Sequence, residues 1–315
     1  MESTCYPMGM RQETLSRIVD AHRYSSFYQG DLSNHLPMAL TALDGLGASG
    51  AQVAAFAARY EKKLEPLPEA EALLAAGIRR ELEQDGEQAV LERRLERLLP
   101  GVCSIAFHGL VRTAYAVESG SRSELAQALA HWELGYQALG PLPEASGTLT
   151  PAQALAGVNG KRQTGGRIAS RMDRAAAAPG FSALVASAGG LDLSLLSQAL
   201  IEAYAATGDF TLLHGITACD AFAVLAPYMR DEGLALRYLW QALACAYASV
   251  GGASANRPVK RDDSLSWEEI ERRACEATDE HDVKLAYSCR RQHRRYGGEL
   301  YRQVASAALS RRVLS

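Results

Sequence analysis

The sequence predicts an all-α protein, and two observations carry this prediction. Apolar residues recur at intervals of three and four, as between Val53 and Tyr60, while the alternation of β-branched residues that is typical of strands is almost absent. Helix-start signals, either capping boxes or an N-cap followed by proline, occur at Ser49, Ser121, Thr150 and Ser266. We therefore expect one multi-helical domain over residues 1–315, with a buried site between its helices.

The predicted helices follow one another along the chain with short gaps. They cover residues 11–28, 35–46, 49–63, 68–98, 102–119, 122–138, 151–158, 182–188, 192–206, 209–229, 233–250 and 266–310, the last with breaks. The least regular regions are 139–181 and 251–265. Because helices of the same character resume on both sides of each, we interpret them as loops over a pocket and not as domain boundaries.

Composition and charge exclude several classes of partner. A formal net charge of −3 over 315 residues offers no basic footprint for nucleic acid or for an anionic membrane.

The N-terminus lacks an apolar leader core, and the weakly apolar run 175–191 is broken by proline and glycine, so we predict a cytoplasmic protein without a membrane span. Six cysteines without a C-x-x-C pair favour reduced thiols: Cys5, Cys103, Cys219, Cys245, Cys275 and Cys289.

Two glycine-containing segments resemble phosphate-binding loops without meeting their requirements. Gly45, Gly47 and Gly50 have the spacing of a dinucleotide-binding fingerprint, but a helix precedes them where a strand is needed, so we interpret them as a helix end, a turn and the next helix start. The segment 157–167 departs from the Walker pattern because Arg162 replaces the serine or threonine that would bind magnesium. It remains a basic loop that could meet an anionic or phenolate substrate or the phosphates of NADPH, and a plain surface loop is the favoured interpretation.

Four of the seven histidines could form a metal site. His35, His108 and His214 border apolar helical runs, and His281 shares a helix face with Lys284, three residues later. Small residues that we expect to leave space, Gly109 and Gly215, follow His108 and His214. Helical bundles build metal sites from imidazoles on separate helices, and imidazole with oxygen ligands suits iron, manganese or zinc. A satisfied core histidine is the other interpretation of each residue taken alone.

Four segments of the chain resemble the questin oxidase-like family, which includes fungal enzymes that open anthraquinone rings by oxidation. They are the segment 34–48, Phe107-His108-Gly-Leu, Leu213-His214-Gly-Ile-Thr217 and Glu280-His281-Asp-Val-Lys284-Leu285. They lie in the family's order within residues 20–290.

The resemblance implies an all-helical cytoplasmic oxygenase that uses O2 and an aromatic or polyketide-like substrate. Some members are described as NADPH-dependent Baeyer–Villiger oxidases, and a ring-cleaving member as a non-haem iron dioxygenase with four histidines and a carboxylated lysine. On that pattern His35, His108 and His214 are implied Fe(II) ligands, Lys284 is the carboxylated lysine, and His281 is a ligand or its hydrogen-bond partner.

The sequence departs from the family pattern at two positions. Ala39 stands where the fungal members tend to have a second histidine, and Arg112 replaces another histidine that can follow the second segment. The site therefore has fewer ligands, recruits His281 or His22, or does not bind the same metal. Asp220 and Asp282 are the acceptors that we expect to orient His214 and His281.

Three functional hypotheses follow. The first is a metal-dependent oxygenase in which Arg112, Tyr115 and Tyr287 could hold a phenolate or quinone oxygen of the substrate. The second is an NADPH-dependent Baeyer–Villiger oxidase without a metal. The third is a non-catalytic helical binding protein, which the alanine at position 39 would suit. Substrate identity, ring position and oligomeric state do not follow from the sequence.

Overall fold

A computed structural model describes residues 10–252 and 262–310 and confirms the all-α class. Its helices in these residues are α1 Gln12–Asp20, α2 Leu36–Gly45, α3 Gly50–Tyr60, α4 Glu69–Asp85, α5 Glu87–Leu98, α6 His108–Ser119, α7 Arg122–Leu134, α8 Pro151–Ala156, α9 Ile168–Ala176, α10 Phe181–Ser187, α11 Leu193–Thr207, α12 Phe210–Leu225, α13 Glu232–Ser249, α14 Trp267–Glu276, α15 Glu280–Tyr296 and α16 Glu299–Ser310. Short 3₁₀ turns lie at Ala21–Arg23, Glu61–Lys63, Leu99–Gly101 and Ala226–Tyr228. Cys5 and residues 253–261 of the predicted loop lie outside the described residues.

Several predicted boundaries were wrong, each for a local reason. The helix expected over 68–98 divides at Gly86, whose φ of 81° places it in the left-handed region that ends a helix. The predicted loop 139–181 contains α9, whose apolar stripe includes the buried Met172 and Ala175. The helix expected over 102–119 begins at His108.

The helix predicted over 11–28 ends at Asp20, and a small hairpin follows it. The strands β1 Phe27–Tyr28 and β2 Leu32–Ser33 are antiparallel, with Tyr28 opposite Leu32. Gln29 and Gly30 adopt positive φ between them, at 48° and 92°, which is the backbone twist that short hairpin loops require.

The glycine-rich segment after α2 is a helix connection, as the sequence predicted. Gly47 has a φ of 85° just beyond the end of α2, and Ser49 and Gln52 form the predicted capping box at the start of α3. Gly45 has a packing role, because a Cβ at that position would lie 2.4 Å from Cε2 of Tyr287.

Four helices form a closed ring in the core. Helix α2 contacts α6 and α15, and α12 contacts the same two helices from the other side. Helix α12 is apolar on every side, so the stretch Phe210–Tyr228 is long and apolar enough to cross a membrane; however, 78% of it is buried inside the protein. Its central position among other helices accounts for this apolarity.

Gly109 and Gly215 allow neighbouring helices to approach α6 and α12. The expectation that they leave space was wrong, since Trp132 lies against Gly109 and Leu200 lies against Gly215. A Cβ at Gly109 would come within 2.4 Å of Trp132 Cγ, and one at Gly215 within 2.5 Å of Leu200 Cδ2. Glycine after each histidine therefore serves helix packing.

This packing leads to a stability prediction for a pair of glycine variants. Gly109→Ala is expected to lower the free energy of unfolding by about 1–3 kcal/mol, because the added methyl group overlaps a buried indole. Gly77→Ala is the matched control within α4, where the nearest atom would be 3.9 Å away; it should raise stability by about 0.5–1 kcal/mol through helix propensity. Urea unfolding measures both values, and equal effects would contradict the close approach of α6 and α7.

Candidate metal centre

Four imidazoles meet where four helices of the core begin. His35 immediately precedes α2, His108 is the first residue of α6, His281 is the second residue of α15, and His214 lies one turn into α12. The ring centres of His35 and His108 are 4.4 Å apart, those of His108 and His214 4.9 Å, those of His214 and His281 5.4 Å, and those of His281 and His35 4.8 Å. Ligand atoms of His35, His108 and His281 all lie within 4.8 Å of one another, a group that could hold a metal ion.

The backbone just before His108 is strained. Ile105, Ala106 and Phe107 all have positive φ, at 53°, 53° and 69°, although none of them is glycine. The left-handed region costs such residues roughly 1–2 kcal/mol each, and more for a β-branched residue. The turn brings the Ile105 carbonyl to the His108 ring, where Nδ1 donates to it at 2.5 Å. Strain of this kind is concentrated at functional sites.

Each imidazole has an acceptor for the proton on Nδ1. The Nδ1 atoms of His108 and His214 face the carbonyl oxygens of Ile105 and Phe210, at 2.5 and 2.8 Å. Because a carbonyl only accepts, these two rings carry their proton on Nδ1 and leave the Nε2 lone pair available. A hydrogen bond of this kind orients a histidine as a metal ligand.

The other two imidazoles are oriented by carboxylates. His35 Nδ1 lies 3.1 Å from Glu280 Oε1, and His281 Nδ1 lies 3.0 Å from Asp279 Oδ1. The sequence did not predict either acid as an acceptor, although Asp279 and Glu280 are the two residues immediately before His281. Its own choice of acceptors was wrong: His214 donates to a backbone carbonyl where Asp220 was expected, and His281 faces Asp279 where Asp282 was expected.

The shortest contact in the cluster joins two nitrogen atoms. His35 Nε2 and His108 Nε2 are 2.6 Å apart. Because His108 carries its proton on Nδ1, its Nε2 lone pair faces His35 Nε2. A proton on His35 Nε2 makes this contact a hydrogen bond, and a metal ion would draw on the lone pairs of both rings.

Burial keeps these imidazoles neutral. Desolvation is the largest cause that lowers the pKa of His35, His108, His214 and His281, and the positive charge of Lys284 lowers each of them further. At His281 the carboxylates of Asp279 and Glu280 partly oppose this effect. Neutral imidazole is the form that binds metals, and a shared proton is correspondingly unfavourable.

Lys284 lies in the same buried region, one turn after His281 on α15. It is 1% exposed, and burial lowers the pKa of its amine to about 8, although Glu280 and Asp279 act in the opposite direction. A substantial share of this lysine is therefore neutral near pH 8. We expected His281 and Lys284 to share one face of a helix, and their positions three residues apart on α15 agree with this.

Glu280 connects the cluster to the protein surface. Its Oε1 accepts from His35 and also lies 3.4 Å from Lys63 Nζ, whose ammonium stands 3.7 Å above the Tyr60 ring. The Tyr60 hydroxyl accepts a hydrogen bond of 3.0 Å from the His35 backbone. These contacts fix both the ring and the backbone of His35.

Arg112 forms a buried ion pair with Glu124. Its guanidinium donates to both carboxylate oxygens of Glu124, at 2.8 and 3.3 Å, and to Ser26 Oγ at 2.7 Å. His22, which could have been recruited to the cluster, instead lies 2.7 Å from Glu124 through Nε2. Ala39 is completely buried in α2. Of the residues expected to compensate for it, His281 joins the cluster and His22 does not.

Tyr115 and Tyr287 belong to a second buried polar group. Their rings meet edge to face at 5.6 Å, and Tyr115 Oη lies 3.4 Å from Ser288 Oγ. Arg291 donates to the Tyr287 hydroxyl at 3.0 Å and pairs with the buried Asp220 at 3.1 Å. The roles of Arg112, Tyr115 and Tyr287 in holding a substrate remain predictions.

No protein-family model matches this chain, and no curated protein is similar to it.

Proposed function

We propose that this protein is a metal-dependent oxygenase that uses non-haem Fe(II) and O2 to oxidise an aromatic or quinone-like small molecule. His35, His108, His214 and His281 would hold the metal, together with Lys284. The choice of iron rests on the resemblance to questin oxidase-like proteins, because neutral imidazoles with an oxygen ligand suit several divalent metals.

The convergence of four imidazoles from four helices, three of which have ligand atoms within 4.8 Å of one another, is the observation that carries the metal proposal. His108 and His214 donate their Nδ1 protons to backbone carbonyls, which leaves the Nε2 lone pairs of both rings available to a metal. A divalent cation accepts such lone pairs, while burial and Lys284 oppose a positive charge on His35 and His108 themselves. The residues present therefore fit a metal ion.

The chain's own residues provide the other requirements of such a site. Bound ferrous iron would supply the electrons that O2 needs to react with a closed-shell organic molecule. Glu280 and Asp279 hold His35 and His281 in orientation, and their negative charge offsets the positive ends of the helices that converge on the cluster. The buried surroundings exclude water, which prevents side reactions of reactive intermediates.

Lys284 would serve as a ligand after carboxylation. Its neutral amine would attack the carbon of CO2 and release one proton, which gives a carbamate whose single negative charge is shared by two oxygens. Burial favours the neutral amine that this step needs, and the product replaces a buried cation by an anion beside the metal. An oxygen ligand from Lys284 would complement the imidazoles.

Metal analysis and oxygen uptake test the proposal. Protein purified without chelators is expected to contain about one iron per chain and to consume O2 with a hydroxyanthraquinone. Iron reloading after dialysis should be weaker in CO2-depleted buffer than with bicarbonate if Lys284 is carboxylated. Protein without metal that consumes O2 only with NADPH would support the Baeyer–Villiger alternative, and the absence of both metal and O2 uptake would support a binding protein.

We also propose a reducing, cytoplasmic location. The cysteines in the described residues are free thiols, and Cys103, Cys219, Cys245 and Cys289 are buried. Burial raises the pKa of the Cys103 thiol to about 12, which makes that side chain inert.

A further inference from the structure

Phe210, the first residue of α12, covers the histidine cluster from outside. Its ring centre lies 4.7 Å from that of His214 and 4.6 Å from that of His281, in both cases edge to face. The residue is nevertheless 49% exposed, whereas His214 is 3% exposed. One side of the phenyl group thus contacts the buried His214 and the partly buried His281 while another faces solvent.

The backbone of Phe210 is held firmly on both sides. The Asp209 carboxylate accepts from Thr211 N at 2.8 Å and pairs with Arg162 of the basic loop 157–167. Arg171 donates to the Thr211 hydroxyl at 3.2 Å. With the main chain fixed in this way, the Phe210 ring can leave the two imidazoles only by rotation of its own side chain.

The same residue positions His214 through its main chain. Its carbonyl oxygen accepts the Nδ1 proton of His214 at 2.8 Å. A substitution at position 210 keeps this carbonyl and removes only the cover. The two roles of Phe210, orienting His214 and covering it, can therefore be separated by experiment.

We propose that Phe210 determines access to the histidine cluster and which ligands enter it. The ring swings outward to open the site, and an aromatic ring of the ligand then occupies the vacated position, edge on to His214 and His281. The position suits an aromatic ring, because two imidazoles already pack edge to face with one there. The second part rests on the proposed function, since it assumes an aromatic substrate; the control of access does not.

Chemical modification of the histidines tests the control of access. After dialysis against a chelator, the protein is treated with diethyl pyrocarbonate, and modification of His214 and His281 is followed by peptide mass spectrometry. If the open state is a minor one, Phe210→Ala should raise both rates by about tenfold or more. Leu234→Ala is the matched control, because Leu234 is also exposed, at 41%, in the first turn of a helix. It should leave both rates unchanged.

Phenol tests the second part of the proposal. In the Phe210→Ala protein, millimolar phenol is expected to return the modification rates of His214 and His281 toward those of the wild type, because its ring fills the vacated position. Its effect should be smaller in the Leu234→Ala protein, where the Phe210 ring competes for the same position. Faster modification without protection by phenol would overturn the aromatic position, and an unchanged rate in Phe210→Ala would overturn the control of access.

Two further measurements keep the result unambiguous. Circular dichroism and urea unfolding check that Phe210→Ala is folded. If that variant does not fold, Phe210→Leu provides the same comparison with a smaller side chain over the two imidazoles. The modification reaction needs neither bound metal nor turnover. Failure to find iron would therefore overturn the proposed function while leaving these rates to decide the role of Phe210.

Discussion

Replacing His108 with alanine is expected to abolish iron binding. Content should fall from about one ion per chain to less than about one-tenth, because the variant loses a nitrogen of the shortest contact in the cluster. His214→Ala should lower the iron content to the same extent, because it removes the ligand that α12 provides. Elemental analysis of the purified proteins measures both, and O2 uptake should disappear with the metal.

One control variant and one variant of intermediate effect make this prediction specific. His293→Ala should retain iron, because His293 lies on the same helix as His281 but faces the Gly298 carbonyl at 3.0 Å. Glu280→Gln should retain the fold and lower the metal affinity by about 10- to 100-fold, since it weakens the acceptor that orients His35. Full iron content in both His108→Ala and His214→Ala would contradict the assignment of the metal to this cluster.

The largest loss of stability is expected for Glu124→Ala. Glu124 is 2% exposed, accepts two hydrogen bonds from Arg112 and lies 2.7 Å from His22 Nε2. Removal of its carboxylate leaves the Arg112 guanidinium buried without its counter-charge. We expect the free energy of unfolding to fall by about 3–5 kcal/mol, which urea denaturation would measure.

An exposed ion pair provides the comparison for Glu124. Glu96 pairs with Arg230 at 3.1 Å, but the two side chains are 64% and 57% exposed. Glu96→Ala should therefore change the free energy of unfolding by about 0.5 kcal/mol or less. Similar losses in the two variants would show that the buried network of Arg112 does not stabilise the fold.

The pH dependence of this network follows from the Glu124 pKa. Burial alone would raise that pKa, but Arg112 and His22 outweigh it, so the net shift is downward. A carboxyl group whose pKa is lower in the folded state stabilises the protein above its unfolded pKa, and this contribution is lost as the pH falls. Acid unfolding of the wild type should therefore show a component that Glu124→Ala lacks.

The structure gives Arg112 contacts that its position in the sequence did not predict. Arg112 lies one turn after the proposed ligand His108, and this proximity in the sequence favoured a contact with the substrate. In the structure its guanidinium points to Glu124 and Ser26, and each of its three nitrogens donates one of these hydrogen bonds. The spacing of Ser121 and Glu124 predicted a capping box, in which Glu124 would contact the Ser121 backbone. Ser121 does cap α7, but the Glu124 side chain pairs with Arg112.

The sequence by itself predicted the helical class and most helix starts because these depend on local interactions. The serine at position 49 caps α3 through hydrogen bonds within four residues, and Gly47 ends α2 through its own backbone freedom. The gathering of His35, His108, His214 and His281 followed from the resemblance to a family and from their places in apolar helices. The structure brings all four together with Lys284 nearby.

The tertiary structure alone decided how the site is oriented and covered. The carbonyl of Ile105 reaches His108 through a left-handed turn that contains no glycine, and such strain leaves no signal in the sequence because packing far along the chain sustains it. Glu280 meets His35 across 245 positions of sequence. The contact of Phe210 with two imidazoles likewise arises where α12 and α15 pack together, so only the folded chain could reveal it.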